Sequence, residues 1–452
     1  LKLKILSLFS AGVFSLSVQA TTFGTCDVAI NISGFEASTC AKTQVPLDYT
    51  NPDQGQIELA VRQFPTKDAK QSRGQVWLIH GGPGEAGAGF TPFLSVFREA
   101  FKGYDIVVPD HRGTGESSRL CPAQESGSSE AGYALGNTEW GPCIGSLYAN
   151  PSRTQAFTIT HAAKDLAGLI EKYGSDKEVY VYGVSYGTQL TLRLMQVASP
   201  KLDGIILDGL VPKEGDTEWE ISHRTRVVDT VGRKLLTDKQ ERQFETLLES
   251  DNKVWQSVLE GGDIRLFMAS LLNYHDLRNQ IPDLIKQLTA GDTSLLKQIL
   301  QSLKDKQGDI ISAYPTAVPS LPLSMLITSS ENNSRTNLTK EIVSKEAEGA
   351  LFTSHLPRLL VDVPAPLYPR DKYFGQLPKQ LPRTLIVQGT LDPNTPYEAA
   401  QLHSKHLEKL GDVQFATVKD AAHILPMVAP KCFTQLASQF VSKNKVSEIC
   451  EL

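Results

Sequence analysis

Four short segments of this chain could together carry acyl-transfer chemistry. The first is Gly183-Val184-Ser185-Tyr186-Gly187. A serine hydroxyl between two glycines can stand at the tip of a turn too sharp for larger flanking side chains. At neutral pH it is a poor nucleophile, and it needs a base within hydrogen-bond reach and a carboxylate to orient that base. The acid candidate is Asp392, in Gly389-Thr390-Leu391-Asp392-Pro393-Asn394-Thr395-Pro396, and the base candidate is His423, in Asp420-Ala421-Ala422-His423-Ile424-Leu425. His403 and His406 are expected on a helix surface, and His80 and His111 in structural or substrate-facing roles. The developing oxyanion needs donors. One is expected from the backbone N–H of Tyr186, next to the nucleophile. The other is expected from His80-Gly81-Gly82-Pro83-Gly84, with Gly82 the first choice and Gly81 the second.

These segments must be placed by regular elements, and the chain supplies them in a repeating order. Buried-strand patterns occur at 75–80, 105–110, 178–182, 204–209, 384–389 and 413–418, each a short run rich in Val, Ile, Leu or aromatic residues. A further strand is expected near Gln56 to Gln63. Helical periodicity runs from Thr158 to Tyr173, after Ser185, and from Tyr397 to Leu410. Strands alternating with helices predict an α/β fold around a mostly parallel sheet. Ser185 then lies between a strand and a helix, and Asp392 just past a strand end, where open α/β sheets place their sites. Residues 212–380 break the alternation and read as a helical cap inserted after the strand that follows Ser185. The expected organisation is 1–20 leader, 21–211 first part of the core, 212–380 cap and 381–452 second part of the core. The stretch from Ser117 to Asn150 reads as a surface loop.

Charge and cysteines narrow the class. A net charge of -5 offers no basic field for nucleic acid. Lys2 and Lys4, the apolar run Ile5 to Val18, and small residues up to Ala20 read as an export signal, with no second run long enough to span a membrane after its removal. Six cysteines in an exported chain predict three disulfides, and their close couples predict Cys26–Cys40, Cys121–Cys143 and Cys432–Cys450. No Cys-x-x-Cys or histidine cluster suggests a metal. A Gly-x-Gly-x-x-Gly pattern at Gly82 to Gly87 could suggest a dinucleotide, but Pro83 has no N–H for a pyrophosphate and Glu85 would repel one. The chemistry implied requires no cofactor.

Together these motifs resemble the S33 peptidases of the α/β-hydrolase fold, the group of proline iminopeptidases and tripeptidyl aminopeptidases. His80-Gly81-Gly82-Pro83-Gly84 is similar to that family's oxyanion loop. Asp110-His111-Arg112-Gly113-Thr114-Gly115-Glu116-Ser117 is similar to its Asp-x-Arg-Gly-x-Gly-x-Ser motif, and the Ser185 pentapeptide to its nucleophile elbow. Cys40-Ala41 with Val45-Pro46-Leu47-Asp48-Tyr49 resembles the N-terminal signature of its secreted branch, and Asp392 with Thr395-Pro396 its C-terminal segment. One departure is Ala422, where the family usually has glycine before the histidine. The resemblance implies an exported serine peptidase that releases residues or short peptides from a peptide substrate's N-terminus. Such an enzyme must pair the substrate's ammonium with a carboxylate, and Glu331, Glu218 and Glu220 are the candidates in the cap. The alternative is a carboxylesterase or lipase with the same triad, since the triad serves esters and amides alike.

Overall fold

The structure, a computed structural model, describes residues 23–27, 37–251, 253–313, 315–335 and 337–452. The export signal expected over 1–20 lies outside the described residues.

Among the described residues, ten strands form one sheet: β1 (Gly24–Thr25), β2 (Thr39–Pro46), β3 (Gln56–Phe64), β4 (Gly74–Ile79), β5 (Tyr104–Asp110), β6 (Glu178–Val184), β7 (Gly204–Asp208), β8 (Thr384–Gly389), β9 (Val413–Lys419) and β10 (Ile449–Glu451). Their spatial order is β1-β2-β3-β5-β4-β6-β7-β8-β9-β10. β1, β2 and β3 pair antiparallel, and β3 joins β5 antiparallel. From β5 to β10 every pairing is parallel.

The apolar runs predict this burial on both faces. Trp77, Val107, Val181, Ile205 and Ile386 point into one core, while the alternate residues Val76, Leu78, Tyr180, Tyr182, Ile206 and Leu385 point into the other. The second core is aromatic, with Phe97, Tyr182 and Phe433 meeting edge to face at 5.0 to 5.4 Å between ring centres.

The Asp110–Ser117 motif knits the antiparallel edge to this sheet. Asp110 accepts the N–H groups of Gly87 and Glu116, at 2.7 and 2.8 Å. Arg112 is buried in a bidentate pair with Asp165, at 2.7 and 2.8 Å, and also donates to the carbonyls of Leu47 and Ala156.

Between β7 and β8 the described residues are helical and contain no strand. They divide by what they pack against. Helices from Arg224 to Leu303 enclose a core of their own, around Phe244, Met268, Ile281, Leu284 and Phe352. Helix Leu321–Glu331 instead sends Leu323, Leu326 and Ile327 into the first core of the sheet, joined by Ala365 and Tyr368.

Two expectations are corrected. The segment from Ser117 to Asn150 is more than a surface loop. It contains helix Trp140–Ala149 and buries Leu120, Cys121, Cys143 and Leu147. Its Gly141 and Pro142 argue against helix by propensity, but they fall in the first turn, where proline's missing N–H costs little. His403 is buried rather than exposed. It lies on helix Tyr397–Leu407 with Nδ1 2.8 Å from the carbonyl of Val211, and burial lowers its pKa to about 4. The cysteines pair as Cys26–Cys40, Cys121–Cys143 and Cys432–Cys450.

Candidate active site

Ser185 sits between the end of β6 and helix Tyr186–Val197, with φ 56° and ψ -124°. That backbone is strained for a residue with a side chain. Its neighbours explain how it is held. A Cβ on Gly183 would lie 2.4 Å from the carbonyl oxygen of Gly187, and one on Gly187 would lie 2.3 Å from that of Ile79. The Ser185 N–H is anchored to the carbonyl of Asp208, at 2.9 Å.

Asp392 and His423 come from the loops after β8 and β9, and they meet. His423 Nδ1 is 2.7 Å from Asp392 Oδ2. The remaining capacity of the carboxylate is used. Oδ1 accepts the N–H groups of Asn394 and Thr395, at 2.7 and 2.8 Å, and Oδ2 accepts the Thr395 hydroxyl at 2.7 Å and Gln388 Nε2 at 3.2 Å. Burial alone would raise the pKa of Asp392. The charge and hydrogen bond of His423, with the Thr395 donors, outweigh it and hold the group below its ordinary value. Asp392 is therefore an anion that can steady an imidazolium.

The backbone around His423 is shaped to fit the ring. Gly209 has φ 62°, and a Cβ there would lie 2.9 Å from His423 Cε1. Ile424 takes the left-handed conformation, φ 67°, a costly state for a β-branched residue. The next N–H, of Leu425, donates to the buried carboxylate of Asp208 at 3.0 Å, and Tyr182 donates its hydroxyl to the same oxygen at 2.7 Å. Burial pushes the Asp208 pKa up to about 7. Ala422 has no positive φ, so the position does not require the glycine usual in the S33 peptidases.

Gly82 lines the cleft together with Ser185 and Tyr186. Tyr186 is the first residue of its helix, where an N–H has no carbonyl partner one turn back. Gly81 uses its N–H on His80 Nδ1, at 2.8 Å, which leaves Gly82 as the better-placed member of that loop. Burial, with His111 and His423 nearby, lowers the His80 pKa to about 3, so its ring stays neutral and accepts that bond.

Farther along the same cleft is a carboxylate cluster. Arg193 meets Glu214 at 2.8 Å, Glu331 at 2.9 Å and Asp371 at 3.8 Å. Glu331 also accepts the Tyr368 hydroxyl at 2.9 Å. Gln189 Nε2 bridges Glu214 and Asn332, at 2.8 and 2.9 Å. Burial raises the Glu331 pKa to about 7. Arg193 opposes the rise and Glu214 adds to it. Of the sequence candidates, Glu331 belongs to this cluster. Glu220 also lines the cleft, but its carboxylate turns to Ser222, accepting the Ser222 N–H at 3.1 Å and the hydroxyl. Glu218 is exposed and does not line the cleft. Sequence reasoning missed Gln189, Arg193 and Glu214. The signal was there for the first two, since Gln189 and Arg193 lie four apart on the helix after Ser185 and so share one face.

Residues 76–250 match the family described as alpha/beta hydrolase fold, and residues 363–449 match the one described as TAP-like protein. The chain has the α/β-hydrolase fold. The chain is 23% identical over 414 residues to the tripeptidyl aminopeptidase of Streptomyces coelicolor, covering 81% of this chain and 74% of that one. It is 29% identical over 195 residues to the serine protease Hip1 of Mycobacterium tuberculosis, covering 39% of this chain and 36% of the relative, so that match spans little more than a third of the relative's length. Among solved structures, a thermophilic esterase from Thermogutta terrifontis aligns at a TM-score of 0.41 and 19% identity, over 89% of this chain and 98% of that one. In its matched segments and its motifs the chain resembles the S33 peptidases.

Proposed function

We propose that this hydrolase is an exported serine aminopeptidase that cleaves near the free N-terminus of peptides through an acyl-enzyme. One observation carries the reading. Glu214 and Glu331 line the cleft that contains Ser185, and both lean on one guanidinium behind it, that of Arg193, which Asp371 also approaches at 3.8 Å. A substrate ammonium would supply the missing positive charge, and burial would strengthen that pairing.

In this scheme Ser185 attacks the scissile carbonyl while His423 takes its proton. Asp392 orients the ring and stabilises the imidazolium. The N–H groups of Tyr186 and Gly82 hold the oxyanion. His423 then protonates the leaving amine, and water repeats the cycle on the acyl-enzyme. Residues 21–211 and 381–452 supply this machinery, and residues 212–380 select what reaches it. Three disulfides fit an oxidising destination, periplasmic or extracellular.

The test compares free and N-acetylated peptidyl arylamides. Faster hydrolysis of the free amines is expected, and equal rates would overturn the reading. Short p-nitrophenyl esters turned over far faster than any peptide would favour a carboxylesterase instead. A fluorophosphonate should label the wild type and not Ser185→Ala.

A further inference from the structure

Arg224 is a charged group of the cleft used by neither the triad nor the carboxylate cluster. It opens helix Arg224–Arg233 and lines the same cleft as Ser185. Its Nη1 donates to Asn394 Oδ1 at 2.5 Å and to the Pro393 carbonyl at 3.5 Å. Both acceptors are neutral. Arg112 and Arg193, two fully buried arginines of the same molecule, are by contrast each paired with carboxylate at 2.9 Å or less. No carboxylate among the described residues pairs with Arg224 in this way. Arg224 is half-buried, and loss of hydration lowers its pKa to about 10 against the pull of Asp392. A guanidinium in such a place is short of an anion.

Its position says which part of a substrate it would meet. Arg224 rests on residues 393 and 394, directly after Asp392, and so on the side of the acid and His423. The leaving nitrogen must lie on that side, because His423 hands it a proton. The carboxylate cluster is held by a different element, with Arg193 on the helix that follows Ser185. Glu220, the acid nearest in sequence, is engaged by Ser222 and does not neutralise Arg224.

We infer that Arg224 is a specificity residue that receives a carboxylate on the leaving part of the substrate. That carboxylate is either the α-carboxylate of a single released residue or an acidic side chain just after the scissile bond. The inference rests on the aminopeptidase reading. The cleft then has two oppositely charged ends, one for the substrate's ammonium and one for an anion beyond the bond that breaks. A peptide with both charges is aligned at two points, which places its carbonyl over Ser185.

The experiment takes the acyl part best released as an arylamide and extends it by Ala with a free carboxylate, by Ala amide, or by Asp amide. For the wild type, kcat/KM for at least one carboxylate-bearing peptide should exceed that for the Ala amide by about tenfold or more, the usual worth of a charge-assisted hydrogen bond. The favoured arm identifies the source of the carboxylate. Arg224→Gln should bring the ratio close to one, and Arg224→Lys should keep part of it. Equal wild-type rates on all three peptides would overturn the inference. So would an equal loss on all three in Arg224→Gln, which would mean that Arg224 only supports Asn394. Arylamides carry no carboxylate, so failure of the aminopeptidase reading shows separately, as equal rates on free and acetylated arylamides.

Discussion

The loops at the ends of β6, β8 and β9 and the helical block between β7 and β8 are built on different principles. In the loops, backbone holds the chemistry. Ser185 and Ile424 sit at positive φ, Gly209 makes room for the His423 ring, and the Asp392 carboxylate is fixed partly by main-chain N–H groups two and three residues on. In the block, side-chain packing and ion pairs carry most of the arrangement. Part of it packs on its own apolar core, and part sends Leu323 and Ile327 into the sheet while Glu331 reaches Arg193. The difference teaches where change is tolerated. A catalytic loop admits almost no alteration at its strained positions, whereas the block can trade one polar group for another and so revise what the cleft accepts.

Mutations test that division. The largest effect belongs to the loops. Ser185→Ala or His423→Ala should lower kcat by about a million-fold, and Asp392→Ala by about ten-thousand-fold, measured on one good arylamide. A loss in Asp392→Ala equal to the others would show that the carboxylate does more than orient the ring. Next comes Gly209→Ala, which touches no substrate. Its Cβ would meet His423 at positive φ, so kcat should fall about a hundredfold with secondary structure intact by circular dichroism. Retained activity would break the claim that these loops are held by backbone.

Smaller effects are expected in the block. Glu331→Gln should raise KM for free-amine substrates by about tenfold or more and leave N-acetylated ones nearly unchanged. A pH series sharpens the same point. Glu331, raised to about 7 chiefly by burial, is protonated below that pH and ionised above it. The ratio of free-amine to N-acetyl rates should therefore fall as pH drops through about 7. It should fall again above about 8 as the substrate's own α-amine loses its proton. Dividing one rate by the other cancels every pH dependence the two substrates share, and Glu331→Gln should flatten only the acidic limb.

The two regions also differed in how far their sequence could be read. Ser185, Asp392 and His423 were legible because their neighbours are constrained by geometry. Gly183 and Gly187 are needed for close approach, and Thr395 follows Asp392 because it donates to it twice. Polar pairing across the fold leaves no such local mark. Glu331 reaches Arg193, 138 positions away in sequence, and Glu218 looks the same as Glu331 in type until the chain is folded. His403 shows the limit again, since its burial comes from contact with Val211, 192 positions away. The helix over Trp140–Ala149 was hidden by its own glycines and proline, and packing of Cys143 and Leu147 overrides their propensity.

The place of the helical block between two neighbouring strands has a consequence for how the molecule comes into being. β7 and β8 lie side by side, yet the entire block separates them along the chain. Their pairing is a long-range event, slow compared with the local pairing of β2 with β3. As the chain emerges from its N-terminus, the half that bears Ser185 can collapse before the half that bears Asp392 and His423 has been made. During that interval the serine has no base. The proposed activity would therefore arise only with the last strands in place, which gives the newborn chain a built-in delay.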